Sequence, residues 1–162
     1  ESSGDQLAAG LMRALCERRP GLRFAGIGGA AMRAEGLECW WDCQELAVMG
    51  LVEVLRHLPR LLRLRREFLA RCRAQGAGLY IGIDAPDFNL PVEKRLRGLG
   101  WRSVHYVSPS IWAWRQGRAR SIGQSADRVL CLFPFEPALY ERHGVDARFV
   151  GHPFADAMAV ED

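Results

Sequence analysis

Hydrophobic and polar positions along the chain fall into two alternating patterns. Leu7, Leu11 and Leu15 recur at helical spacing behind a Ser3/Asp5 start signal and stop before Pro20-Gly21, which predicts an opening helix. "LRFAGIGG" reads as a strand entering a glycine turn, and "AAMRAEG" as a short helix closed by Gly36. From Gln44 to Gly76 the pattern is helical again, interrupted at Pro59. A proline is tolerated in the first turn of a helix, so the expectation there is a kinked helix pair. "GLYIGI", "WRSVHYVS", "RVLCLF" and "ARFVG" then read as strands. Between them "LPVEKRLRGLG", "RQGRARSIGQSADR" and "PFEPALYERHG" read as helices. Short, almost continuously apolar strands alternating with helices predict a parallel sheet covered on both faces, an α/β Rossmann-like domain. No strand precedes the first helix and the chain opens on Glu1 rather than methionine, so the domain is expected to lack its first strand.

Composition narrows this little. The 162 residues, 49% of them hydrophobic, suit one domain with its own core, and no run approaches the apolar length of a membrane span. Five scattered cysteines, with Cys39-x3-Cys43 lacking a second ligand pair, read as reduced thiols of a cytosolic protein rather than a zinc site. Charge is more informative. Between Arg56 and Arg73 lie seven arginines and one acid, a local +6 in a chain of net +3, so the remainder is net acidic.

That basic segment, within residues 50–74, carries a broad apolar arc: Leu51, Val52, Val54, Leu55, Leu58, Leu61 and Leu62. A basic helix with a wide apolar face is how a soluble protein lies on an anionic membrane. The competing readings are a core helix with a solvated arginine face and a helix buried in a dimer. Nucleic acid is disfavoured, because the positive charge comes with exposed-looking leucines rather than with interleaved aromatics.

In open parallel sheets, ligands bind beyond the carboxyl ends of the strands, and the unusual residues of this chain gather in those segments. "ESSGD" (Glu1, Ser3, Gly4, Asp5) offers hydroxyls, a close-approach glycine and helix amides for an anion, or equally an ordinary N-cap. "GIGGAAM" has Gly26-x-Gly28-Gly29 but no third glycine at fingerprint spacing, which argues against a nicotinamide cofactor. "DAPDFN" ends a buried strand on carboxylates, which need partners or a purpose once desolvated. Asp84 reads as the chemical acid, able to take a proton from a substrate hydroxyl, with Asp87 or Asn89 as the cap of a helix beginning near Asn89; the alternative is that Asp84 or Asp87 merely caps that helix. "SPSIWAWR" places Ser108, Ser110, Trp112, Trp114 and Arg115 in one loop. The tryptophans either pack, or line a site for a sugar or acyl substrate with an anionic group. His105 lies within a strand pattern and reads as a satisfied core histidine.

Taken together, "ESSGD", "LAVMGLVEVL", "IGIDAPDFNL", "HYVSPSIWAWRQGR", "LCLFPFEPALYE" and "FVGHPFADAM" resemble the lipid-A-disaccharide synthases, in that family's order and along the whole chain. The resemblance implies a glycosyltransferase with two Rossmann domains. It would move 2,3-diacylglucosamine from its UDP carrier to the 6-hydroxyl of 2,3-diacylglucosamine 1-phosphate, with inversion and without a metal or other cofactor. It implies Asp84 as general base, and a substrate pocket drawn from Glu1, Ser3, Gly4, Asp5, Asp87, Asn89, Ser108, Ser110, Trp112, Trp114, Arg115 and His152. It also implies peripheral attachment to the cytosolic face of the bacterial inner membrane through the helix around Leu51 to Leu62. Family members are about twice as long, so residues 1–162 are expected to be the acceptor-side domain without its UDP-binding partner, and inactive alone. A non-catalytic lipid- or nucleotide-binding module is the alternative.

Overall fold

The computed structural model describes residues 2–47, 51–111 and 117–158. The chain forms two compact units, Glu1–Phe68 and Leu69–Asp162.

In the first unit, helix α1 (Ser2–Arg18) is followed by strand β1 (Ala25–Gly28), helix α2 (Ala30–Ala34), strand β2 (Glu38–Asp42) and a 3-10 turn (Cys43–Leu46). Helix α3 (Leu51–Ala74) begins here and runs into the second unit. β1 and β2 pair in parallel from Ala25 opposite Glu38 to Gly28 opposite Asp42, with a register shift between Gly26 and Ile27. The apolar spacing of α1 buries Leu7, Ala8, Ala9 and Met12. The rings of Trp40 and Trp41 on β2 pack against Phe68, with centroids 5.7 and 6.2 Å away.

α3 departs from the expected kinked pair: Pro59 lies inside one helix. Its buried residues are Leu64, Phe68 and Cys72, four apart, whereas Leu55, Leu58 and Leu62 on another face are 70%, 42% and 45% exposed. β2 was not anticipated from the pattern either.

The second unit is a four-stranded parallel sheet in the order β3-β4-β5-β6 (Leu79–Ile83, Arg102–Tyr106, Arg128–Cys131, Ala147–Phe149). α4 (Pro86–Arg97), α5 (Arg118–Ser125) and α6 (Glu136–Glu141) lie in the connections between successive strands. A short helix α7 (Pro153–Ala157) follows the last strand. Sequential parallel strands require crossovers, and helices with one apolar face supply them. α4 buries Phe88, Val92 and Leu96 as it packs against β3 and β4, each such side chain worth about 1.5–3 kcal/mol in transfer from water. Ile111, Ala119, Ile122, Val129, Cys131 and Tyr140 form the adjoining core. The class is the α/β, Rossmann-like arrangement of parallel strands and helical layers that the pattern predicts. All five cysteines are free thiols; burial pushes Cys72 up to about 11 and Cys131 up to about 12.

A strained turn and an arginine beside one cavity

β3 ends at Ile83, and the next two residues leave the normal backbone range: Asp84 has φ 52° and Ala85 φ 40°. Left-handed backbone at a non-glycine residue costs on the order of 1–3 kcal/mol and persists only where surrounding bonds impose it. Here those bonds are identifiable. The Asp84 N–H donates to the Tyr106 carbonyl at 2.9 Å, extending the β3–β4 ladder by one residue. The side-chain amide of Asn89 donates to the carbonyls of Asp84 (2.7 Å) and Ile83 (3.3 Å), while its oxygen accepts from the Tyr80 hydroxyl at 2.7 Å. Burial, aided by the nearby Glu93, holds the Tyr80 phenol well above its ordinary range, so it keeps the proton it donates. Pro86 explains the rest. A residue before proline is driven out of the right-handed helical region, so α4 can start no earlier than Pro86, its first residue.

This changes two expectations. α4 begins at Pro86 rather than near Asn89, and its N-cap is Ala85, with no side-chain capping bond from Asp87 or Asn89. The Asp87 side chain is 99% exposed, 3.9 Å from Arg118, and the Asn89 side chain is buried under the turn.

A second strained residue stands across from the first. Val107, directly after β4, has φ 76°, which for a β-branched side chain is a genuine outlier, and its N–H donates to the Leu130 carbonyl at 3.0 Å. Asp84, Pro86, Val107, Ser108, Pro109, Ser110, Ile111 and Arg118 surround a cavity of about 480 Å³ at the carboxyl ends of β3 and β4. Of the residues singled out from the sequence, Asp84, Ser108 and Ser110 meet here. Ser108 is buried, its hydroxyl 2.6 Å from that of Tyr140, so it anchors the loop as well as lining the space. Burial raises the Tyr140 phenol, which therefore stays protonated within that pair. Arg118 was not singled out from the sequence. Its signal was its place as the last residue of the family-like stretch "HYVSPSIWAWRQGR".

Other candidates have different surroundings. Asp5 belongs to α1, and its carboxylate accepts from the N–H groups of Gly29 (2.8 Å), Ala31 (2.9 Å) and Met32 (3.2 Å), capping α2. A Cβ on Gly29 would lie 2.6 Å from that carboxylate, so only glycine lets it approach. Ser3 and Gly4 lie in the first turn of α1. His152 caps α7, its Nδ1 accepting from the Phe154 N–H at 3.3 Å. Glu1, Trp112, Trp114 and Arg115 lie outside the described residues, as do the side chains of Leu51, Val52 and Val54. Leu61 is half-buried. Among the described residues, no three His, Cys, Asp or Glu side chains gather where a metal ion could sit, and no helix is long and apolar enough to cross a membrane.

Beneath the turn lies a pair the sequence did not signal. Glu93 on α4 and His105 on β4 are fully buried and meet at 2.7 Å, Oε1 to Nδ1; the other oxygen and the other nitrogen have no hydrogen-bond partner. His105 is thus a core histidine satisfied on one side only. Gly82 makes the room, because a Cβ there would collide with Glu93 and Asn89.

The chain matches the family model described as lipid-A-disaccharide synthetase over residues 1–162. A lipid-A-disaccharide synthase of Xanthomonas campestris pv. campestris is 64% identical over 161 residues, covering 99% of this chain and 37% of the relative. The enzyme of the same name from Xylella fastidiosa is 62% identical over 158 residues (98% of this chain, 41% of the relative). That of Alkalilimnicola ehrlichii is 56% identical over 161 residues (99% and 42%). The chain thus spans about two-fifths of the length of these curated relatives. With the family model matched from end to end and identity this high, the chain belongs to the lipid-A-disaccharide synthase family.

Proposed function

We propose that this chain is the acceptor-side part of a glycosyltransferase of lipid A biosynthesis. The transferred group is 2,3-diacylglucosamine, carried by UDP. The acceptor is the 6-hydroxyl of 2,3-diacylglucosamine 1-phosphate. The acceptor oxygen bonds to the anomeric carbon as the bond to the diphosphate breaks, with inversion, giving a β-1,6-linked disaccharide 1-phosphate and UDP. Asp84 takes the hydroxyl proton. No metal takes part, and these residues alone do not turn over.

The observation that carries this reading is Asp84 itself, a carboxylate kept in a left-handed turn on the wall of a cavity at the strand ends. Strain of this kind tends to be kept where a side chain must point one way. An orienting turn is what a general base requires, because proton abstraction depends on reach before it depends on acidity. The exposed face of α3 supports the accompanying location. Leu55, Leu58 and Leu62 stand out among Arg56, Arg63 and Arg66, a composition suited to an anionic membrane surface and to substrates with acyl chains. The protein is accordingly peripheral, on the cytosolic face of the inner membrane.

The test is UDP release by a chain of the relatives' full length carrying these residues, with both diacylglucosamine substrates in detergent micelles. Asp84→Asn should lower the rate about a hundredfold or more with folding intact. Near-normal release would remove Asp84 from the chemistry. No release from the unaltered protein would favour a binding module.

A further inference from the structure

A base alone explains only half of the cavity. The same wall presents Arg118, whose nearest described carboxylate, Asp87, is 3.9 Å away on a side chain 99% exposed to water. At that distance and exposure the pair is worth little and does not engage the planar fork of the guanidinium. Arg118 itself is about half exposed and lines the cavity together with Asp84, Val107 and Ser110. A carboxylate and a guanidinium on one cavity suit a ligand that brings both a hydroxyl to be deprotonated and an anion to be neutralised. The apolar remainder of the lining, Pro86, Pro109 and Ile111, suits a sugar ring rather than a second ion.

We propose that Arg118 is the phosphate-binding residue of this cavity. Its fork takes two oxygens of a sugar phosphate while Asp84 faces the reacting hydroxyl. The inference rests on the glycosyl-transfer reading above. The same chemistry could come from the acceptor's 1-phosphate or from the donor's diphosphate.

The experiment has two arms. In the full-length protein, KM and kcat for each substrate are measured for the unaltered chain, Arg118→Gln and Arg118→Lys, and again with an acceptor lacking its phosphate. A charge-assisted hydrogen bond is worth about 1.5–3 kcal/mol, so Arg118→Gln should raise one KM roughly 10- to 150-fold with kcat much less changed. Arg118→Lys, a point charge without the fork, should recover only part. If the acceptor's phosphate is the ligand, removing it should penalise the unaltered protein by a similar factor and the Gln variant hardly at all. If the donor's diphosphate is the ligand, the donor KM rises and this discrimination stays. Both KM values within twofold of the unaltered protein would overturn the proposal.

The second arm needs no turnover. The Arg118 Nε–H resonance is followed by NMR as glucosamine 1-phosphate, UDP or plain glucosamine is added. A shift with a phosphate compound but not with glucosamine supports the proposal even if glycosyl transfer itself is not observed. No shift with either phosphate overturns it.

Discussion

Glu93→Ala would leave His105 in the interior without its only hydrogen bond. The imidazole is fully buried, Nε2 already lacks a partner, and the 2.7 Å bond to Glu93 is what satisfies Nδ1. Stranding one partner of a buried hydrogen-bonded pair costs about 3–5 kcal/mol when the pair is ionic and about 1–3 when it is neutral. A loss near 3 kcal/mol lies where the two ranges meet. With a urea m-value of about 2 kcal/mol/M, typical of small proteins, the unfolding midpoint should fall by about 1.5 M. Glu93→Gln keeps the size and one hydrogen bond and should lose only about 1 kcal/mol. The decisive variant is Glu93→Met with His105→Leu, which removes both polar groups at similar volume. It should recover most of the stability, because desolvation then has nothing to penalise. Equilibrium unfolding followed by circular dichroism measures these variants together with Glu93→Met and His105→Leu alone, and the double-mutant cycle isolates the coupling. A loss below 1 kcal/mol for Glu93→Ala would refute the reasoning. So would a double variant as unstable as the sum of the single changes, since either outcome means that water reaches the pair.

Asp5→Ala removes the acceptor of three backbone N–H groups and should cost about 1–2 kcal/mol in thermal or urea unfolding, with Asp5→Asn intermediate because its amide offers one accepting oxygen. Replacing Leu55 and Leu58 by glutamate on the exposed face of α3 should lower binding to vesicles rich in anionic lipid at least tenfold in a sedimentation assay while leaving the unfolding midpoint nearly unchanged. Unaltered vesicle binding would remove that face from the membrane reading.

Much of the architecture is legible in the sequence because parallel strands buried by crossover helices are nearly continuously apolar, as in "GLYIGI" and "RVLCLF". β2 escapes because "ECWWD" has no β-branched residue and puts an acid at each end. On α3 the periodicity identifies a helix but not which face is covered. The 55/58/62 stripe looks as core-like as Leu64, Phe68 and Cys72, and only tertiary packing separates them. The start of α4 is misjudged for a local reason: Pro86 reads as part of a turn, yet it is the first helical residue, and the residue before it, Ala85, is a left-handed cap. Asp84 is legible as an acid out of place at a strand end. Asp5 and Glu93 are not legible in their actual roles, because their partners lie 24 or more and 12 residues away. Arg118 is one arginine among several in the sequence, and only the fold brings it to the wall of the cavity.

The Asp5 carboxylate at the head of α2 has a consequence for salts and nucleotides. It is tied by its own helix to the amides it occupies, so its effective concentration there is that of an intramolecular partner, of millimolar order or more, which a dilute ligand must outcompete. Added phosphate or a dinucleotide therefore meets a resident competitor at that turn, one that cannot diffuse away. The glycine-rich turn is thereby latched from within, and an anion from solution reaches its amides only by displacing Asp5.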